Sequence, residues 1–185
     1  MSCWVLALDV HDGPVGDLQN RLQGTAAKFR PHITLRGRFA TEDAREADLR
    51  EILLSVRGLL PRRIEVSDAE VVDPDMIWLE CRPRDAGYAA LCAAHHAIDA
   101  ELAHRHMVAE DLTPSHFLGT GYRPHVTVAW CASLDEKAAL SLPKVLYPLA
   151  LTLYTYDKSP HADEVRCRVA SLIGESGEPT SRLPG

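Results

Sequence analysis

Apolar and polar positions along this chain alternate between two periods, and the switches mark out the elements. Residues 4–10, Trp-Val-Leu-Ala-Leu-Asp-Val, form a nearly continuous apolar run and predict a first strand. Residues 14–23 predict a short helix, and 32–36 a strand with the β-branched residues Ile33 and Thr34. Thr41-Glu-Asp-Ala predicts a helix running to about Gly58, with Thr41 as its N-cap and an apolar stripe of Leu49, Ile52, Leu53 and Val56. Strands are expected at 63–72 and 76–82, separated by the turn Asp73-Pro74-Asp75. Leu91, Ala94, Ile98 and Leu102 define an Ala-rich helix over 86–106, and 107–121 reads as a loop with Pro114, Gly119 and Gly121. A strand at 125–131, a helix capped by Ser133 with Glu136 three residues on, and strands at 149–156 and 164–173 complete the order. The tail, 174–185, is rich in Gly, Pro, Ser and Glu and is expected to be disordered.

The second half of this order echoes the first. Strands adjacent in sequence imply hairpins, so the expected class is α+β with antiparallel sheet rather than a parallel βαβ series.

The echo is sharpest at one heptapeptide. Residues 29–35 are Phe-Arg-Pro-His-Ile-Thr-Leu and residues 122–128 are Tyr-Arg-Pro-His-Val-Thr-Val. They align without a gap at an offset of 93. Pro31 and Pro124 bias the arginines before them toward extended backbone. In a strand, alternate residues face the same way. His32, Thr34 and Arg36 are therefore expected on one face with Arg30, and His125 and Thr127 on one face with Arg123. Ile33, Leu35, Val126 and Val128 are expected to face apolar packing. Two such strands bordering one cleft would offer two imidazoles and two hydroxyls to one ligand. Histidine supplies both a base and an acid near neutral pH. Hydroxyls and arginines complement the charge that builds on a phosphoryl group.

The two motifs resemble those of the 2H phosphoesterase superfamily, also called the LigT-like, 2′-5′ RNA ligase or cyclic phosphodiesterase family. His32-Ile33-Thr34-Leu35 matches its first His-x-Thr-hydrophobic signature and His125-Val126-Thr127-Val128 its second. The resemblance implies two pseudo-symmetric lobes of antiparallel sheet with flanking helices around a central cleft, in one bilobal domain over 1–173. It implies metal-independent, cofactor-free chemistry at 2′,3′-cyclic or 2′,5′-linked phosphodiesters of nucleotides or RNA ends. It makes His32 and His125 the acid/base pair and Thr34 and Thr127 the phosphate ligands. Some relatives carry a basic residue after the second motif, whereas here Val128-Ala129-Trp130-Cys131 supplies none. Arg30, Arg36 and Arg123 are the substitutes expected to bind substrate. Tyr122 and Trp130 are candidate base-stacking residues, with core packing the expected role of Trp130.

Bulk properties narrow the ligand. The formal net charge is −6 over 185 residues, which argues for a small substrate or a strand end rather than long duplex nucleic acid. No apolar run reaches the roughly 18 residues that span a bilayer. The N-terminus lacks the basic and long apolar stretches of a secretory signal, so a cytoplasmic monomer without a membrane partner is expected. Cysteines 3, 81, 92, 131 and 167 include no C-x-x-C pair and are expected to be reduced. His95, His96, Asp99, His104 and His106 lie on the helix over 86–106. The His95/Asp99 spacing of four would suit a metal, but a solvated helix face is the expected reading. A metal-dependent hydrolase on that helix and a non-catalytic nucleotide- or RNA-binding module are the rival readings.

Overall fold

The apolar run near the N-terminus forms β1 (Ser2–Val10), buried from Cys3 to Val10. A strand covered on both faces belongs in the interior of a sheet. In the computed structural model, β1 lies antiparallel between β3 (His32–Thr41) and β9 (Pro148–Tyr156). The structure describes residues 2–21, 25–26, 30–41, 46–72, 76–130, 142–156 and 165–172. The other long strands are β4 (Ile64–Val72), β5 (Met76–Cys81), β7 (His125–Trp130) and β10 (Val165–Ser171). β2 (Thr25–Ala26), β6 (Glu110–Asp111) and β8 (Val145–Leu146) are two-residue strands. The sheet order is β10-β9-β1-β3-β7-β5-β4-β8, with β2 on β7 and β6 on β3. All described pairings are antiparallel. The α+β architecture expected from the strand and helix order is the one observed.

The two copies of the duplication exchange strands. β1 and β3, from the first copy, are completed by β9 from the second. β5 and β7, from the second copy, are completed by β4 from the first. The helices cross over in the same way. α1 (Asp12–Arg21) follows β1 but packs on β7, whereas α3 (Ala86–His104) follows β5 and packs on β3. The pseudo-twofold relation therefore passes between β3 and β7, the two strands that carry the His-x-Thr motifs.

One row of side chains crosses this centre. Leu8, Ile33, Val126 and Leu79 stand side by side on β1, β3, β7 and β5, each fully buried. Each contributes roughly 1.5–3 kcal/mol by leaving water. Under them lies α3, with Leu91, Ala94, Ile98 and Leu102 buried and Asp85 accepting a 2.8 Å hydrogen bond from the Gly87 amide at its N-terminus. α2 (Glu46–Ser55) buries Leu49, Ile52 and Leu53 and packs on α3, β9 and β10.

Three expectations change. Thr41 is not a helix cap: it is the last residue of β3, which runs five residues beyond the predicted strand, and α2 begins at Glu46. The predicted loop over 107–121 contains β6 and two short 3-10 turns, 115–117 and 119–121. The helix over 86–106 ends at His104, and His106 takes a positive φ of 51°. The helix expected from Ser133, the 174–185 tail and the side chain of Trp130 lie outside the described residues. Cys3, Cys81 and Cys92 are free thiols among the described residues.

Candidate active site

The pairing of Ile33 with Val126 fixes the geometry of the site. Those two side chains point into the core, so their neighbours in sequence point to the opposite face. Continued one residue each way, that antiparallel register would set Thr34 across from His125 and His32 across from Thr127, with the two imidazoles on one diagonal of a square and the two hydroxyls on the other. Diagonal neighbours of this kind are about 7–8 Å apart, a span that one phosphoryl group bridges. Electrostatics agree, because the charge of His32 is felt at His125. All four residues are partly accessible, whereas Ile33, Leu35, Val126 and Val128 are fully buried.

Both imidazoles are held by the same local device. His32 Nδ1 lies 2.9 Å from the Arg30 carbonyl, and His125 Nδ1 lies 2.7 Å from the Arg123 carbonyl. A carbonyl only accepts, so each Nδ1 carries the proton and Nε2 is the basic nitrogen of each neutral ring. The Pro at the intervening position holds the preceding arginine extended and brings its carbonyl under the ring. The repeated Arg-Pro-His is thus a unit that sets tautomer and ring orientation.

The surroundings of the two rings differ. His125 sits 3.9 Å from the Trp78 indole, centroid to centroid, and its Cα partner on β5 is Glu80. Glu80 accepts a 2.7 Å hydrogen bond from Arg123, whose guanidinium lies 5.3 Å from the Trp78 ring centre. Burial, opposed by the Arg123 carbonyl contact, lowers the His125 pKa to about 4. His32 lies 5.0 Å from the Tyr154 ring, and its Cα partner on β1 is Asp9. Asp9 is fully buried and accepts hydrogen bonds from the Thr152 hydroxyl at 2.8 Å and the Tyr154 hydroxyl at 2.7 Å. One ring therefore faces a dry indole and the other a tyrosine anchored on a buried carboxylate.

The remaining expected ligands are distributed unequally. Arg30 is exposed and Arg123 half-buried, each two residues before a motif histidine. Arg36 does not share the His face. Ala7 pairs with Thr34 but Leu6 pairs with Arg36, so a bulge at Leu35 breaks the alternation. Leu35 and Arg36 are both buried, and the Arg36 guanidinium meets Asp99 of α3 at 2.6 Å and pairs bidentately with Asp111. Tyr122 offers no stacking surface to a base. It is 8% exposed, its ring stacks on His95 at 4.1 Å and its hydroxyl donates to the Thr34 carbonyl at 2.8 Å.

The expected solvated face of α3 also needs correction. His96, His104 and His106 are exposed as expected, but His95 is buried, its Nδ1 donating to the Leu35 carbonyl at 2.7 Å. His95 Nε2 accepts from the Gly119 amide at 3.1 Å and lies 3.2 Å from Asp99. Burial lowers the His95 pKa, so this ring is a neutral structural group. Among the described residues no cluster of three or more His, Cys, Asp or Glu side chains is arranged to hold a metal ion.

Asp9, Trp78, Glu80 and Tyr154 were not among the residues singled out from the sequence. Asp9 carried a signal, as the one charge inside an apolar strand. The others become neighbours of the motifs only through cross-strand register.

Comparison with known proteins places the fold and the family. A sequence profile described as the 2′-5′ RNA ligase superfamily matches residues 8–170. No curated protein sequence matches significantly. Solved structures do. A crystal structure described as a phosphoesterase aligns at TM-score 0.59 and 16% identity, over 92% of this chain and 96% of that one. E. coli LigT complexed with 3′-AMP aligns at TM-score 0.58 and 16% identity, over 92% and 95%. TT0787 of Thermus thermophilus aligns at TM-score 0.57 and 14% identity, over 95% and 100%. At such identities these likenesses concern the fold. Among the described residues no helix is long and apolar enough to cross a membrane.

Proposed function

Since this chain belongs to the 2′-5′ RNA ligase superfamily, an enzymatic family of phosphoesterases and ligases, we propose that it is a metal-independent phosphodiesterase that opens 2′,3′-cyclic phosphates of nucleotides or RNA ends. The observation that carries this reading is the pair of motif histidines on adjoining strands, each with Nδ1 held by the carbonyl of the arginine two residues before it, which makes Nε2 the acid/base atom of both rings.

The dissimilar surroundings suggest a division of labour. His125, kept neutral by burial against Trp78, takes a proton from water through Nε2 as the oxygen attacks phosphorus. His32, beside the buried Asp9 carboxylate, donates its Nε2 proton to the ribose oxygen as the P–O bond breaks. Water is added across one P–O bond, and the ring left protonated and the ring left neutral exchange protons with solvent before the next turnover. Positioned proton transfer of this kind contributes about 10²–10⁴-fold. The Thr34 and Thr127 hydroxyls, on the other diagonal, donate to the nonbridging oxygens as charge builds. Arg30 and Arg123 flank the motifs and suit the remaining anionic groups of the substrate. E. coli LigT has been solved with 3′-AMP, phosphate, ATP and NADP+, which supports a nucleotide ligand here.

The test is turnover of a panel of 2′,3′-cyclic nucleotides, 2′,5′-linked dinucleotides and RNAs ending in a cyclic phosphate, in EDTA. Cyclic phosphate opening that His32→Ala and His125→Ala each abolish is the expected result. Turnover lost on chelation would overturn the metal-free mechanism, and ligation of RNA ends without hydrolysis would overturn the direction. Nucleotide binding with no turnover of any panel member would make the protein a binding module.

A further inference from the structure

The two motif strands meet at one described pair, Ile33 with Val126. Beyond it β3 bulges at Leu35, and the successive carbonyls of Thr34 and Leu35 accept from side chains. The Thr34 carbonyl takes the Tyr122 hydroxyl and the Leu35 carbonyl takes His95 Nδ1. The donors themselves are locked together, with their rings stacked at 4.1 Å and 8° between planes. His95 Nε2 in turn holds the Gly119 amide, and His96 Nε2 donates to the Gly119 carbonyl at 3.2 Å. The turn before β7 is tight there: Gly119 has φ +53°, and a Cβ on Gly121 would lie 2.2 Å from the His116 carbonyl oxygen.

Tyr122 stands three residues before His125, and its bond ends on the backbone of Thr34, two residues after His32. It therefore joins the lead-in of one motif to the middle of the other, from the core side of the sheet. The duplication makes this a one-sided device, because the matching position in the first copy is Phe29, which has no hydroxyl. A packing role alone asks only for an aromatic ring, so the hydroxyl needs a separate reason.

We propose that Tyr122, held in place by His95, is a positioning residue that sets the distance and angle between the two catalytic strands, so that one phosphoryl group meets both imidazoles at once. The proposal rests on the phosphodiesterase reading for its kinetic consequence but not for its geometric one. A strut of this kind acts on the approach to the transition state, where misplacement by about 1 Å costs on the order of 10²-fold. Ground-state binding uses the same groups with looser tolerance.

The experiment compares wild type with Tyr122→Phe, His95→Gln and His95→Ala. Tyr122→Phe keeps the stacked ring and removes only the hydroxyl. His95→Gln keeps a donor for the Leu35 carbonyl and an acceptor for the Gly119 amide, whereas His95→Ala keeps neither. With a 2′,3′-cyclic nucleotide, Tyr122→Phe is expected to lower kcat ten- to a hundredfold at a KM within twofold of wild type, with its thermal transition retained. His95→Gln is expected to restore most of the rate that His95→Ala loses. A Tyr122→Phe enzyme with wild-type kcat, or a change in KM alone, would overturn the strut.

A second readout does not depend on turnover. Inorganic phosphate is titrated while the ring resonances of His32 and His125 are followed by NMR. Both rings should shift together with one affinity in wild type, whereas in Tyr122→Phe the affinity should stay within about twofold while the shift of one ring shrinks relative to the other. Identical titrations in the two proteins would overturn the strut. If no phosphodiester is turned over by wild type, the enzymatic reading fails while this titration still decides the role of Tyr122.

Discussion

The Trp78 indole lies against the imidazole of His125, centroids 3.9 Å apart and planes inclined at 41°. Trp78 is 1% exposed and so presents a dry wall rather than a ligand surface. That wall, with the cation of Arg123 and the charge of His32, holds the His125 pKa at about 4. The acid limb of the rate profile should therefore lie well below the ordinary histidine value of about 6.5. Trp78→Phe thins the wall and should move that limb upward. A limb that stays put when kcat/KM is measured across the acid and neutral range would detach His125 from the observed ionisation.

The same burial has a stability consequence whose sign is fixed. The folded-state pKa of His125, about 4, lies below the unfolded value of about 6.5, so the unfolded chain binds the proton more tightly. The neutral ring's contribution is fully present above about pH 6.5 and is lost as pH falls toward about 4. His95, also lowered by burial, acts in the same direction. Denaturant unfolding at about pH 7 and about pH 4.5 should show a loss on the order of 1–3 kcal/mol. His125→Gln, neutral throughout, should reduce that difference; a variant as acid-sensitive as wild type would contradict it.

Arg36 was expected beside the substrate and is found bound to Asp99 and Asp111. Its removal strands two carboxylates that are 29% and 33% exposed. Arg36→Met should therefore lower unfolding free energy by about 1–3 kcal/mol, less than for a fully buried pair. KM for a cyclic nucleotide should stay within about twofold at a temperature where the variant is folded. A large rise in KM with unchanged stability would return Arg36 to the ligand.

Asp9 holds two hydroxyls from β9 while standing next to His32 on the neighbouring strand. Asp9→Asn replaces one of two acceptor oxygens with a donor, leaving a buried hydroxyl poorly matched at a cost of about 1–3 kcal/mol. The loss of charge beside His32 should also lower kcat through the acid step. Calorimetric unfolding together with kcat checks both effects, and an Asn variant unchanged in both would remove Asp9 from the site.

The duplicated Phe/Tyr-Arg-Pro-His-x-Thr carried most of what the sequence revealed. It predicted strands, faces and the four central side chains, because alternation and proline sterics act locally. What escaped notice arises from relations between strands. Arg36 changed faces because β3 takes one extra residue against β1, and an insertion in the ladder leaves no mark in a pattern of period two. Tyr122 read as a stacking residue because its aromatic partner, His95, is 27 positions away on α3. The His95–Asp99 spacing was visible, but only the packed helix shows which flank faces the sheet. Thr41 looked like a cap because a hydroxyl before acidic residues suits a helix start equally well at the end of a strand.

The crossing of strands between the two copies has a consequence for where this architecture can come from. Half of the chain, carrying one His-x-Thr strand, would leave its sheet one strand short and would own a single imidazole. Two such halves trading a strand each would heal both edges and, at their dyad, bring two identical rings to one phosphate. Joined in tandem, the two halves hold that arrangement within one polypeptide and leave the rings free to differ, one against a dry indole and the other beside a buried carboxylate.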